Sequence, residues 1–274
     1  MMFRHWITAL VGALLSACQT VSLDDMAPTY EKGFFHVGKN AMKQLDLAAQ
    51  PDDLRPLQKR KAALRASKSK FPVIVFLHGC GGFTTGTSDT LSKVENAAPD
   101  FITIAPNSFA RKRPQVCGGY TATDLYATSV YWRELEAEYA LRELSKEPWV
   151  DWNNVFLVGH SQGGGTALGL KTKHKIRGRV SLSGGCYSGA TTRTVSGNAT
   201  DQSFAVLAFH QTRDKWFYGK SYEPPYGTAC PTLAKRHPNG KVVFTEGDNH
   251  HAFTYPKNIE IFRGWLYSNL MRGS

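Results

Sequence analysis

The stretch Asn154-Val155-Phe156-Leu157-Val158-Gly159-His160-Ser161-Gln162-Gly163, continuing through Gly164-Gly165-Thr166-Ala167-Leu168-Gly169-Leu170, constrains this chain more than any other. Its first part is an uninterrupted apolar run, the pattern of a strand covered on both faces in a parallel sheet. Its last part is small and apolar and suits a helix. Between them the chain must turn sharply, with Ser161 at the apex, and small residues on either side allow a tight turn that leaves the hydroxyl exposed. A glycine-rich helix start capped by a serine would show the same five residues. The surrounding chain therefore decides between the two readings.

The surroundings favour the strand-turn-helix reading. Phe71 to Leu77, Phe101 to Ala105, Arg179 to Leu182, Phe204 to Phe209 and Lys241 to Phe244 repeat the short apolar run, and helical stretches lie between them. The clearest helix is Thr123 to Lys146, whose Leu125, Tyr126, Val130, Leu135, Tyr139, Leu141 and Leu144 mark one apolar side and which Pro148 ends. A last helix from Lys257 to Leu270 places Ile259, Phe262, Trp265, Leu266 and Leu270 on one face. Alternation of this kind predicts a mostly parallel doubly wound sheet flanked by helices, and 274 residues with 42% hydrophobic content are enough for one such domain. Ligands of these sheets bind beyond the carboxyl ends of the strands.

A serine hydroxyl needs a base, a group that orients the base, and donors for a developing oxyanion. Asp214 follows the run ending at Phe209, and His250 and His251 follow the run ending at Phe244. The chain order is thus Ser, Asp, His, each after a different strand. Backbone geometry allows only one of the two neighbouring histidines to face Ser161. Asp248 and Asp201 are alternative carboxylates, less well placed past a strand. His78-Gly79-Cys80-Gly81-Gly82 follows the strand 71–77 and forms a glycine-rich turn able to aim backbone N–H groups. The expected oxyanion donors are the N–H groups of Cys80 and Gln162, with His78 shaping the turn rather than acting as base. No metal or organic cofactor is expected, because Asp248, His250 and His251 lack a complementary ligand pair at typical spacing.

Phe76-Leu77-His78-Gly79-Cys80-Gly81-Gly82, Ala105-Pro106-Asn107-Ser108-Phe109, Gly159 to Gly164 and His251-Ala252-Phe253 together resemble the dienelactone hydrolase family of α/β-hydrolases, over the span from Phe71 to the C-terminus. The resemblance implies an α/β-hydrolase fold without a large cap domain. In that family the catalytic histidine is followed by a small residue and then phenylalanine, which selects His251 as the base, with Asp214 as the acid. The namesake enzymes carry cysteine as nucleophile; Ser161 in its place points to ordinary carboxylic ester hydrolysis. On such a fold Cys80 and Cys117 follow successive strands, as do Cys186 and Cys230, so the expected disulfides are Cys80 with Cys117 and Cys186 with Cys230.

The N-terminus carries a different signal. Arg4 and His5 precede an apolar stretch, Trp6 to Leu15, that is too short to span a bilayer, and small residues lead to Cys18. Leu15-Ser16-Ala17-Cys18 resembles a bacterial lipobox. The expected division is a lipoprotein signal peptide over residues 1–17, a lipidated N-terminus and tether over 18–47, a span of little periodicity read as combining the tether with the first edge structure, and the hydrolase domain over 48–274. Cys18 becomes the lipid anchor and Gln19 favours the outer membrane, facing the periplasm. Export also makes disulfides the natural state of the remaining four cysteines. The formal charge of +11 suits anionic surroundings, and residues 51–70 are rich in Lys and Arg, read as a solvated helix face in preference to a lipid-facing one. The basic residues are spread along the chain without any nucleic-acid-binding signature, so no nucleic-acid partner is expected. Two rivals to the esterase reading are a peptidase or amidase with the same triad and a non-catalytic envelope-binding lipoprotein on a hydrolase-like fold.

Overall fold

In the computed structural model the described residues are 22–45, 57–111, 123–188, 193–194, 204–216 and 239–271. Seven strands form one sheet: β1 (Phe34–Val37), β2 (Phe71–Leu77), β3 (Ile102–Ala105), β4 (Val150–His160), β5 (Gly178–Leu182), β6 (Ala205–Gln211) and β7 (Gly240–Thr245). Their spatial order is β1-β3-β2-β4-β5-β6-β7. All neighbours run parallel except β1, which pairs antiparallel with β3 at one edge. Among the described residues the α-helices are α1 (Ala27–Glu31), α2 (Lys39–Gln44), α3 (Leu57–Ala66), α4 (Thr85–Ala97), α5 (Thr123–Leu144), α6 (Gln162–Gly169) and α7 (Pro256–Ser268).

Alternation along the central strands fills both faces of the sheet, because successive side chains of a strand point in opposite directions. Val73, Val75 and Leu77 of β2 and Val155 and Leu157 of β4 pack with Ala137, Leu141 and Leu144 of α5 and Ala167 of α6. Ile74, Phe76, Phe156 and Val158 face the other way, onto Leu91 and Val94 of α4 and Phe262 and Leu266 of α7. The uninterrupted apolar runs of the sequence are the mark of strands covered in this way.

The expected boundary between tether and domain is corrected. Within the span assigned to a tether, residues 22–45 belong to the domain: β1 extends the sheet, and Met26 and Tyr30 are buried in the same cluster as Trp149 and Leu141. The edge structure expected in this span is β1; the short elements before it have few periodic positions, which left the boundary at residue 48 too late. The basic segment is anchored too. Arg60 donates to the Phe35 carbonyl at 2.6 Å, and Arg65 makes a two-pronged pair with the buried Glu147 at 2.8 and 2.7 Å. The expected signal peptide, residues 1–17, and Cys18 lie outside the described residues, among which no helix is long and apolar enough to cross a membrane.

After β2 the chain moves outward to β3, then crosses back to place β4 on the other side of β2. The carboxyl ends of β2 and β4 therefore flank a point where the strand order reverses, the position at which open α/β sheets bind ligands. Leu77 pairs with Gly159, so the glycine-rich turn after β2 and the serine turn after β4 leave the sheet side by side.

Candidate active site

Ser161 sits between β4 and α6 with φ 55° and ψ −121°, a left-handed conformation that side-chain-bearing residues rarely adopt. Its N–H donates to the Leu182 carbonyl of β5 at 2.8 Å, and its carbonyl accepts from Gly164 at 2.9 Å. Two glycines make the turn possible. A Cβ on Gly159 would lie 2.1 Å from the Gly163 carbonyl oxygen, and one on Gly163 would lie 2.0 Å from the Leu77 oxygen. This contact seats the start of α6 directly on the end of β2.

His250 bridges the serine and the acid. Ser161 Oγ lies 2.8 Å from His250 Nε2, and His250 Nδ1 lies 2.6 Å from Asp214 Oδ2. Asp214 is 1% exposed, and its other oxygen accepts the Trp216 N–H at 2.9 Å. A buried carboxylate accepting from Nδ1 fixes the tautomer with a bare Nε2, which can take the serine proton.

The structure corrects the choice of histidine. His251, expected as the base, faces away from Ser161: its ring stacks on His160 with centroids 4.7 Å apart and planes 15° apart, and presses on Gly86 in the first turn of α4. Backbone near this point is extended, with His251 at φ −99° and ψ 101°, so adjacent side chains diverge. The small residue and phenylalanine that selected His251 have a packing role instead. Ala252 and Phe253 are buried, and Phe253 packs against Phe209 and Phe262. Burial depresses the pKa of His251 and, far more strongly, that of His160, to which the neighbouring His250 also contributes. His210 is pushed down to about 4, chiefly by burial, and donates from Nε2 to the Gly184 carbonyl at 2.7 Å.

The glycine-rich turn reaches the serine: a Cβ on Gly79 would lie 3.3 Å from Ser161 Cβ. The Gly79 carbonyl accepts from His78 Nδ1 at 2.6 Å and from the Gly82 N–H at 3.1 Å. Burial, and then the charge of Arg133, hold the His78 pKa well below the usual imidazole range, so the ring is neutral. Gln162 opens α6, whose N-terminal end carries the positive end of the helix dipole. Phe109 packs on Gly82, and Trp216 lies 5.5 Å from the His250 ring; both are partly exposed. Asp201, Cys117 and Cys230 lie outside the described residues. Cys80 and Cys186 are each disulfide-bonded.

Beneath this turn lies a polar cluster that sequence reasoning missed. Arg133 and Glu136 of α5, with Ser108 and Arg111 after β3, are all buried. Arg111 and Arg133 approach Glu136 at 3.1 and 3.3 Å, and Ser108 Oγ donates to it at 2.6 Å. The available signal was a charged pair three residues apart on the buried side of a helix, in line with Val130, Ala137 and Ala140. Among the described residues no group of three His, Cys, Asp or Glu side chains could hold a metal ion.

Strand order, serine turn and hydrogen-bonded Ser-His-Asp array define an α/β-hydrolase. A family model described as Chlorophyllase matches residues 30–183, more than half of the chain. The chain belongs to that family of α/β-hydrolases. No curated protein sequence matches it. Among solved structures it is similar to esterase PE8 (TM-score 0.54, 19% identity, covering 74% of this chain and 94% of that one). It is also similar to a dienelactone hydrolase-like promiscuous phosphotriesterase from metagenomic libraries (TM-score 0.55, 16% identity, 74% and 88% covered). A carboxylesterase from Mesorhizobium loti is a third (TM-score 0.51, 20% identity, 74% and 91% covered). The expected likeness to dienelactone hydrolases thus holds at the level of the fold.

Proposed function

We propose that this protein is a serine hydrolase of carboxylic esters. The observation that carries the reading is the unbroken array in which His250 joins Ser161 at 2.8 Å to buried Asp214 at 2.6 Å. Ser161 Oγ attacks the ester carbonyl as His250 Nε2 takes its proton, and the negative charge on the former carbonyl oxygen is received by the N–H groups of Cys80 and Gln162. His250 then returns the proton to the departing alkoxide, leaving an acyl-enzyme, and activates a water that releases the acid. Asp214 holds the imidazole and offsets its transient positive charge. Phe109 and Trp216 border this space and favour esters with an apolar group.

A fluorophosphonate probe is expected to label the wild type and to spare Ser161→Ala, with ester turnover lost in parallel. Absence of labelling of the folded wild type would leave a binding role. Paired ester and peptide substrates of equal acyl group separate the esterase from a peptidase, the expected outcome being turnover of the ester alone.

We further propose that the chain is exported and lipid-anchored at Cys18 in the outer membrane, facing the periplasm, and that Cys80 pairs with Cys117 and Cys186 with Cys230. The lipobox-like Leu15-Ser16-Ala17-Cys18 supports the first. Intact mass of membrane-extracted protein is expected to show an acylated N-terminal Cys18, and an unmodified one would sink the anchor. Non-reducing peptide mapping tests the pairing.

A further inference from the structure

We infer that Arg133 is a positioning residue for the oxyanion hole, acting through the tautomer of His78. The inference rests on the esterase reading and deepens it. Arg133 carries only donors; its Nη1 lies 2.6 Å from His78 Nε2 and 3.0 Å from Nδ1, and Nε2 also receives the Ser108 N–H at 3.2 Å. The nearer guanidinium contact and the backbone donor both fall on Nε2, whereas Nδ1 has the Gly79 carbonyl as an acceptor, so Nε2 is the nitrogen that presents its lone pair. The single proton of the neutral ring is therefore on Nδ1, where it donates to the Gly79 carbonyl at 2.6 Å. With Gly82 also donating to that oxygen at 3.1 Å and Arg133 Nη2 approaching it at 3.5 Å, the Gly79–Cys80 peptide plane is fixed.

In a trans peptide the N–H points opposite to the C=O. Holding the Gly79 carbonyl toward Arg133 and His78 thus aims the Cys80 N–H away from them, in a turn whose Gly79 lies against Ser161. Hydrogen bonds to the carbonyl also polarise the peptide and strengthen its N–H as a donor. The same guanidinium reaches the other donor residue: Arg133 Nη2 lies 3.5 Å from Gln162 Oε1, while Gln162 Nε2 donates to Ser129 Oγ at 2.6 Å. One buried side chain on α5 therefore ties together the turn after β2 and the start of α6. Charge acts in the same direction. Among the described residues the cluster holds two buried guanidinium groups, Arg111 and Arg133, and one carboxylate, Glu136, leaving positive charge in excess beside the point where the oxyanion forms.

The test compares Arg133→Met with Arg133→Lys, at a temperature well below the Tm of each, using a p-nitrophenyl ester and a trifluoromethyl ketone that forms a tetrahedral adduct with the serine. Arg133→Met is expected to lower kcat about 100-fold with KM within about threefold, the scale of one lost oxyanion donor. Its inhibition constant for the ketone rises by a similar factor, because the adduct carries the oxyanion. Lysine also donates without accepting and keeps the His78 tautomer, so Arg133→Lys stays within about tenfold of wild type. Wild-type kcat in Arg133→Met, an unchanged ketone constant, or a lysine variant as slow as the methionine one would each overturn the inference. If Arg133→Met does not fold, His78→Asn and His78→Leu carry the same test: the asparagine amide restores the donor to Gly79 and is expected to be at least about tenfold faster than leucine, and equal rates refute the role. Ester turnover lost in Ser161→Ala but insensitive to Arg133 removes only this inference. Wild type that neither turns over esters nor reacts with the probe removes the esterase reading as well.

Discussion

Replacing His250 and His251 one at a time by alanine separates two neighbours that the sequence treats as nearly equivalent. His250→Ala removes the acceptor 2.8 Å from Ser161 Oγ and leaves the serine without a base. Loss of one member of such a triad costs on the order of 10⁴ to 10⁶ in kcat, roughly 5–8 kcal/mol of transition-state stabilisation. It also strands Asp214, a residue 1% exposed that keeps the Trp216 N–H at 2.9 Å. A buried carboxylate deprived of its partner destabilises the fold by about 3 kcal/mol. The double variant His250→Ala/Asp214→Asn is therefore expected to regain most of the lost urea stability and none of the activity. His251→Ala removes a ring that stacks on His160 at 4.7 Å and touches neither Ser161 nor Asp214. It is expected to cost about 1–2 kcal/mol of stability and less than about tenfold in kcat/KM. Steady-state hydrolysis of a p-nitrophenyl ester, with urea unfolding of each variant, measures all of these quantities. If His251→Ala fell as far as His250→Ala, or if His250→Ala kept more than about 1% of wild-type kcat, the assignment of the base would be wrong.

Three further outcomes follow from burial and close packing. Burial lowers the His210 pKa from 6.5 to about 4, so between those values the unfolded chain binds the proton that the native state refuses. Stability therefore falls with decreasing pH through that window, by roughly 3 kcal/mol at most for this group. Urea midpoints from pH 7 to 4.5 are expected to drop less steeply in His210→Gln than in wild type. Glu95 has the opposite sign: burial raises its pKa to about 7, so the native state holds a proton that the unfolded chain releases above 4.5, and stability declines as pH rises to 7. Glu95→Gln should raise the Tm by a few degrees at pH 8 and leave it nearly unchanged at pH 5, a gain of about 1–2 kcal/mol. Gly163→Ala places a methyl group 2.0 Å from the Leu77 oxygen, a backbone atom that cannot swing aside. Loss of at least about 2 kcal/mol of stability and about tenfold in kcat is expected, and full activity would refute the close seating of α6 on β2.

Chain pattern alone determined the layered architecture of this protein. The apolar runs at β2 and at 155–158 of β4 are legible because a strand buried on both faces has few polar positions to interrupt it, and Gly159 and Gly163 are legible because only glycine fits the turn at Ser161. The order Ser161, Asp214, histidine follows from strand ends that share one edge of a parallel sheet. Tertiary structure decided what depends on a single residue or on distant parts of the chain. His250 rather than His251 faces the serine because extended backbone sends neighbours to opposite sides, and the parity of that alternation is set by where Phe253 is anchored in the core. Residues 34–37 join the sheet through backbone pairing with β3, which leaves little periodic trace in four residues. Arg133, Glu136, Ser108 and His78 come from three separate segments, and their partnership exists only once α5 packs under the end of β2. Spacing along a chain records local periodicity; it does not record which buried donor meets which acceptor.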